Sequence, residues 1–297
     1  MPYLARITIY PIKSLDGVDV AEALVLPSGA IQHDRRLAIV DAEGRFVNGK
    51  RTPAVHLIRS SFDPRERVLF LEMQGQYGRH TFHLDSDRDA VEAWLAAVFG
   101  FPTRLREDAE GGFPDDRASP GPTIASTATW EEVASWFPSL TVADIRRRFR
   151  ANLEVEGVEP FWEDRLFTEP GSVVRFRVGA VVFEGVNPCQ RCVVPSRAPT
   201  TGEPLPGFAK TFVERRRERL SAWAAVSRFD HFYRLAVNTR LHRWAGGTIR
   251  VGDEVVILDV SRGQHASRPG VPVTSSYREG PTGRNVPLAK PWLRPSQ

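Results

Sequence analysis

The residues best placed to do chemistry are two cysteines three positions apart, in Asn187-Pro-Cys189-Gln-Arg-Cys192-Val-Val-Pro195. A structural zinc site takes four ligands, and this chain has no second cysteine pair to complete one. A thioredoxin-type dithiol sits between a strand and a helix, but here Pro195 and Pro199 follow closely and the segment reads as a loop. A purely structural role for the cysteines remains open on these residues alone. Adjacent Arg191 favours a thiolate if its guanidinium turns toward the sulfur. A thiolate in an irregular loop suits a soft transition metal.

Other chemistries find no support. Gly44-Arg-Phe-Val-Asn-Gly49-Lys50 has the glycine spacing of a phosphate-binding loop. Arg51 follows where a magnesium-binding Ser or Thr belongs, and Thr52-Pro53 stops the helix such a loop must open. There is no Gly-x-Ser-x-Gly elbow, His-Glu-x-x-His helix or Gly-x-Gly-x-x-Gly turn. Asp230-His231 reads as a structural pair.

Short β-type runs dominate the first eighty-five residues: Leu4–Tyr10, Ala23–Leu26, Leu37–Asp41, Val55–Phe62, Val68–Met73 and His80–Leu84. Their number and spacing suggest a small barrel. A helix follows, with Ser86 as its cap, Val91, Trp94, Leu95 and Val98 at helical spacing, and Gly100 closing it. Residues 107–122, rich in Gly, Pro and Asp, read as a mobile loop near a domain boundary. Thr129-Trp-Glu-Glu132 reads as a capping box. Val173–Val178 and Ala180–Val186 form strands around Gly179, and Thr248–Val251 with Glu254–Leu258 form a hairpin around Gly252-Asp253. The tail from Ser261 reads as loosely packed or unpacked.

The chain has 297 residues, 41% hydrophobic and 26% charged, which is enough for two domains with an ordinary core. No apolar run reaches the ~18 residues of a membrane span. The N-terminus lacks the pattern of a signal peptide and there is no disulfide framework, so a cytoplasmic location is expected. The formal charge is +4, with clusters at Arg146–Arg150 and Arg215–Arg219. The second, on the helical stretch Phe208–Leu220, reads as a solvated face. No nucleic-acid-binding motif is present.

Several segments together resemble the MOSC family, named for the C-terminal domain of molybdenum cofactor sulfurase, with its companion N-terminal β-barrel domain. They are Tyr10-Pro-Ile-Lys-Ser14, His33-Asp-Arg-Arg-Leu-Ala-Ile-Val-Asp41, Arg148-Phe-Arg-Ala-Asn152 with Glu159-Pro-Phe-Trp-Glu-Asp164, Cys189-Gln-Arg-Cys192 with Thr201-Gly202, and Gly247-Thr-Ile-Arg-Val-Gly-Asp253. The resemblance implies an α+β, β-rich fold: a small β-barrel domain over 1–100 packed on a MOSC β-barrel domain with peripheral helices over 101–260, then a tail over 261–297. It implies a molybdenum cofactor, Mo-molybdopterin, with Cys192 as catalytic residue and metal ligand. Lys13, Ser14, Arg35, Ser126, Arg150, Asn152 and Arg191 are its implied surroundings. Guanidinium groups suit the cofactor's phosphate, which they can grip bidentately.

Two positions depart from the family pattern. Ala151 replaces the usual proline, and Ala198 stands where the ligand loop commonly carries Asp. The activity implied is reduction of N-hydroxylated or N-oxygenated compounds, with the substrate oxygen released as water. Two cysteines cannot ligate a ferredoxin-type cluster, so electrons are expected from a separate flavoprotein, ferredoxin or cytochrome. The alternative is a non-catalytic carrier of the cofactor, or of sulfur held as a cysteine persulfide.

Overall fold

The structure, a computed structural model, describes residues 1–243 and 245–262; the tail expected from Ser261 lies outside them beyond Arg262. The first third runs β1 (Tyr3–Ile9), β2 (Val18–Val20), β3 (Glu22–Val25), β4 (Leu37–Asp41), β5 (Ile58–Asp63), β6 (Val68–Met73), β7 (His80–His83), α1 (Arg88–Phe99) and β8 (Thr103–Glu107). β5, β6 and β7 form an antiparallel sheet, and β4 pairs with β8. Their alternating apolar residues, among them Ile39, Ile58, Leu69, Leu71 and Leu105, meet Val91 and Leu95 of α1 in one core. Helix α1 ends as expected on Gly100, whose φ of 76° satisfies the last turn without a Cβ clash. Ser86 is not its cap. Asp87 holds that position, and its carboxylate accepts from the backbone of His83 and the hydroxyl of Ser86.

The expected strand Val55–Phe62 starts late. Pro53 fixes its own φ and lacks an N–H, and residues Pro53–Leu57 form a 3₁₀ turn before β5. His56 thereby leaves the sheet.

The remainder runs β9 (Ile124–Ser126), α2 (Thr127–Ser135), α3 (Val142–Phe149), β10 (Leu153–Glu156), β11 (Ser172–Val178), β12 (Val181–Gln190), α4 (Phe208–Glu218), β13 (Arg234–Leu241), β14 (Gly247–Arg250) and β15 (Val255–Arg262). Eight strands make the main sheet in the order β15-β11-β12-β13-β9-β10-β1-β2. The N-terminal strand therefore belongs to the sheet of the second half, pairing Ile7 with Leu153 and Leu4 with Val155. Among the described residues strands dominate and four α-helices accompany them, so the fold class is α+β and β-rich. No helix among the described residues is long and apolar enough to cross a membrane.

Three local readings are corrected. Gly252-Asp253 makes a turn, but its arms do not pair: β14 joins β3 and β15 joins β11. The turn's backbone is bound elsewhere, Val251 N–H to Ala21 and Gly252 N–H to Leu4. Ser126, not Thr129, caps α2; its hydroxyl accepts from the Thr129 N–H at 3.1 Å.

The third correction concerns α4. Arg216 is not on a solvated face, because it continues the stripe of Phe208 and Phe212 at four-residue spacing and is only 1% exposed. Its Nη2 meets both carboxylate oxygens of Asp164 at 2.6 and 2.7 Å, and the Phe161 ring lies 4.3 Å from its Cζ. Removing one partner of such a pair strands the other charge in the core. Arg216→Met should therefore lose about 3–5 kcal/mol of folding stability, read as a lower urea midpoint. Adding Asp164→Leu should restore part of it. An unchanged midpoint in the single variant would contradict the pair's structural role.

Candidate functional site

Helix α3 opens on a capping box between Thr141 and Asp144 and ends on Arg150, whose φ of 55° and ψ of 44° are left-handed. Ser14 (φ 77°) and Arg35 (φ 48°) share that conformation. A non-glycine residue there costs on the order of 1 kcal/mol, and three such residues meet at one cavity of about 1070 Å³. Lys13, Ser14, Arg35, Arg150, Asn152, Arg191 and Cys192 all line it.

Tyr10 organises the cationic wall. Its buried ring has the Arg150 guanidinium 4.0 Å from its centroid and that of Arg35 at 5.0 Å. Burial raises the pKa of its hydroxyl above the usual tyrosine value, with Arg150 and Arg35 opposing. Arg35 Nη1 also donates to Asp34 at 2.5 Å and to Asn152 Oδ1 at 3.2 Å. Asn152, 2% exposed, donates from Nδ2 to Thr8 O at 3.0 Å and accepts from Thr123 N–H at 3.2 Å. It ties β1, the start of β9 and Arg35 together, so it positions more than it presents. Lys13 Nζ donates to Phe113 O at 2.9 Å and pairs with Asp115 at 2.5 Å. Both partners lie in residues 107–122, the segment expected to be a mobile loop. There it forms a wall of the cavity, pinned by Phe113 N–H to Arg35 O at 2.8 Å.

The cysteines separate. Cys189 lies within β12, not in a loop, and Cys192 follows the strand; both are partly exposed and free. Arg191 turns toward the Cys189 sulfur, its Nη1 at 3.1 Å, rather than toward Cys192. Its other arm donates to Phe149 O. The loop beyond Cys192 is held by Arg148, 4% exposed, whose Nη1 donates to Pro195 O at 2.9 Å and Arg197 O at 2.6 Å. Arg59 reaches the same loop at Pro199 O, 3.0 Å away. Arg148, Arg59 and Tyr10 were not singled out in the sequence. Tyr10 and Arg148 do stand inside the quoted motifs, whereas Arg59 carries no sequence signal.

Ser126 is away from this cavity. It is fully buried, and its hydroxyl faces Glu163 Oε2 at 3.1 Å, which Thr129 Oγ1 also reaches at 2.9 Å. The other Glu163 oxygen is buried without a hydrogen-bond partner. Burial, with Asp164 beside it, lifts the Glu163 carboxyl from 4.5 to about 7.

A β-rich scaffold here gathers cations and two free thiols around a polar cavity, a lining complementary to an anion. The family model for the MOSC N-terminal beta barrel domain matches residues 1–103 and that for the MOSC domain residues 123–256. The chain belongs to the MOSC family. It is 23% identical over 306 residues to the molybdenum cofactor sulfurase of Arabidopsis thaliana, covering 85% of this chain and 35% of that one. It is 24% identical over 253 residues to the Caenorhabditis elegans molybdenum cofactor sulfurase, covering 78% and 34%. The chain thus spans about a third of the length of these sulfurases. With the human mitochondrial amidoxime-reducing component 1 it shares 24% identity over 298 residues, 86% of this chain and 82% of the relative.

The raised Glu163 carboxyl has a consequence for stability. Folded protein holds a proton there that the unfolded chain releases, so stability falls as pH rises from about 4.5 to about 7. The loss is roughly 3 kcal/mol at most. Glu163→Gln should flatten melting temperature across this window and match or exceed the wild type above pH 7. Parallel curves for the two proteins would show that Glu163 does not titrate there.

Proposed function

We propose that the cavity binds a molybdenum cofactor with Cys192 as protein ligand to the metal. We further propose that the chain reduces N-hydroxylated or N-oxygenated compounds. The observation that carries this reading is that Cys192 lines the same cavity as Arg150, a cation that no carboxylate cancels. Arg150 has no carboxylate or other hydrogen-bond acceptor for its guanidinium among the described residues, only the Tyr10 ring. An anionic ligand completes it.

The donor set fits such a cofactor. No three His, Cys, Asp or Glu side chains cluster among the described residues, so a metal at Cys192 must bring its remaining ligands, as a pterin dithiolene does. Such a cofactor, held by Cys192 and the surrounding guanidiniums, would supply a two-electron change for reduction of an N–O bond. The protein's part is to place it. Arg150 and Arg35 receive phosphate, Arg148 fixes the loop after Cys192, and Asn152 keeps Arg35 in position.

The amidoxime named in the human relative, whose length this chain largely spans, is an N-hydroxylated compound. That supports the substrate class. Electrons come from a separate flavoprotein, ferredoxin or cytochrome, since two cysteines cannot hold a ferredoxin-type cluster. A carrier of cofactor or sulfur is the second reading, favoured by Cys189 as a further thiol in the same cavity, 3.1 Å from Arg191 Nη1.

Protein made in a host that synthesises the cofactor should contain near-stoichiometric molybdenum and pterin. Cys192→Ala should lose most of the metal, with amidoxime reduction by a chemical reductant falling to background. Full activity in that variant would overturn the ligand assignment. Folded protein without metal or pterin, but carrying one extra sulfur atom by mass spectrometry, would establish the carrier instead.

A further inference from the structure

Reducing an N-hydroxyl group consumes protons as well as electrons, and few groups lining the cavity can supply them. Asp16, Asp34 and Asp19 are paired with Arg59, Arg35 and Arg6, Asp115 with Lys13, and Asp116 accepts from the Ala118 N–H at 2.9 Å. The Tyr10 hydroxyl donates to Ala151 O at 3.3 Å. His56 is the one imidazole among the described residues that line the cavity.

Its ring is fixed and its tautomer is set. His56 Nε2 lies 3.3 Å from Gly49 O; a carbonyl only accepts, so Nε2 carries the proton and Nδ1 carries the lone pair. No protein hydrogen bond reaches Nδ1 among the described residues. Both glycines beside the ring are required for the fit. A Cβ at Gly49 would stand 2.6 Å from Nε2, and one at Gly202 would stand 3.2 Å from Cδ2. Gly202 belongs to the loop that follows Cys192, so the imidazole packs directly on that loop.

The charges that act most on the ring are the guanidiniums of Arg197, Arg150 and Arg59; of these, Arg59 also donates to His56 O at 2.8 Å and pairs with Asp16. Burial foremost, then these guanidiniums, hold its pKa below the ordinary histidine value, against the Gly49 carbonyl. An imidazolium formed there is a strong acid and gives up its proton readily.

We propose that His56 delivers protons to the oxygen leaving an N-hydroxylated substrate, a role that rests on the reductase reading above. Nδ1 takes a proton from solvent and passes it to the substrate oxygen. The N–O bond breaks, two electrons arrive from the redox partner or a chemical reductant, and N–H and water form. Each turnover consumes two protons, both ultimately from solvent.

The test uses molybdenum-loaded protein with dithionite as electron donor and benzamidoxime as substrate. His56→Gln keeps an amide donor for Gly49 O but cannot titrate. It should retain molybdenum and KM, lose about a hundredfold in kcat, and show a flat pH profile where wild-type kcat climbs as pH falls. Independently of turnover, ¹⁵N-histidine spectra should show His56 neutral at pH 6.5, protonated on Nε2. Unchanged kcat and profile in His56→Gln, or loss of kcat only in step with loss of molybdenum, overturns this role and leaves the reductase reading intact. A charged His56 at pH 6.5 overturns it as well. A molybdenum-loaded wild type that reduces no N-hydroxylated compound overturns both.

Discussion

Like charges repel, and this fold brings Lys13 and at least five arginines to one cavity. Two unit charges about 7 Å apart repel by about 2 kcal/mol at the effective dielectric of a protein surface, so the crowding must be offset. Carboxylates would do so by cancelling the charge, leaving nothing for an anion to meet. The structure uses both devices: Lys13, Arg35 and Arg59 pair with Asp115, Asp34 and Asp16, while other guanidiniums are held by neutral partners. Arg148 donates to the carbonyls of Pro195 and Arg197, Arg191 to that of Phe149, and Arg197 to that of Gly202. Arg35 and Arg150 share the face of Tyr10. Carbonyl dipoles and ring quadrupoles hold a guanidinium in place without neutralising it. The cavity therefore keeps its positive field while each side chain stays ordered.

That arrangement depends on pairing the first strand with one from the middle of the chain. β1 lies between β2 and β10 in the main sheet, and Thr8 and Asn152 bridge that seam through backbone and side-chain bonds. Tyr10 and Arg150 sit just beyond this register, which is why ring and guanidinium coincide. The left-handed backbone at Ser14, Arg35 and Arg150 is tolerated because these neighbours over-determine it. Arg35, for example, is bonded through its backbone N–H to Tyr10 O and through its carbonyl from Phe113 N–H.

Much of this was legible in the sequence where local pattern and burial agree. β4 and β6 are short apolar runs bounded by turn residues, α1 repeats at helical spacing, and all three appear within two residues of where they were read. Seven of the eight residues taken from the motifs line one cavity. What escaped were features decided by distant partners. The Gly252 turn has hairpin chemistry, but its flanks are captured by Ala21 and Leu4. Arg216 reads as one more surface charge until Asp164, fifty-two residues away, is seen beneath it. Ser126 has the composition of a ligand contact and the position of a helix cap, and only the Thr129 N–H distinguishes them. His56 was hidden by its own neighbours, since an apolar run around it resembles a strand and only the proline at its start shows otherwise.

The same dependence explains why two cysteines so close in sequence lie in different settings. Pro188 has no N–H to give the ladder, and the register between β12 and β13 shifts between Pro188 and Gln190. Arg234 compensates by donating to the Pro188 carbonyl at 2.9 Å. Just past the strand's end at Gln190, Arg191 N–H still meets Tyr233 O at 3.0 Å, which leaves Cys189 inside the sheet and Cys192 two residues beyond it. From there the chain is held through the carbonyls that Arg148 and Arg59 collect, not through the sheet. A sulfur on that segment is set by side chains that also shape the cavity, so what binds there and where the thiol stands are coupled through the same guanidiniums.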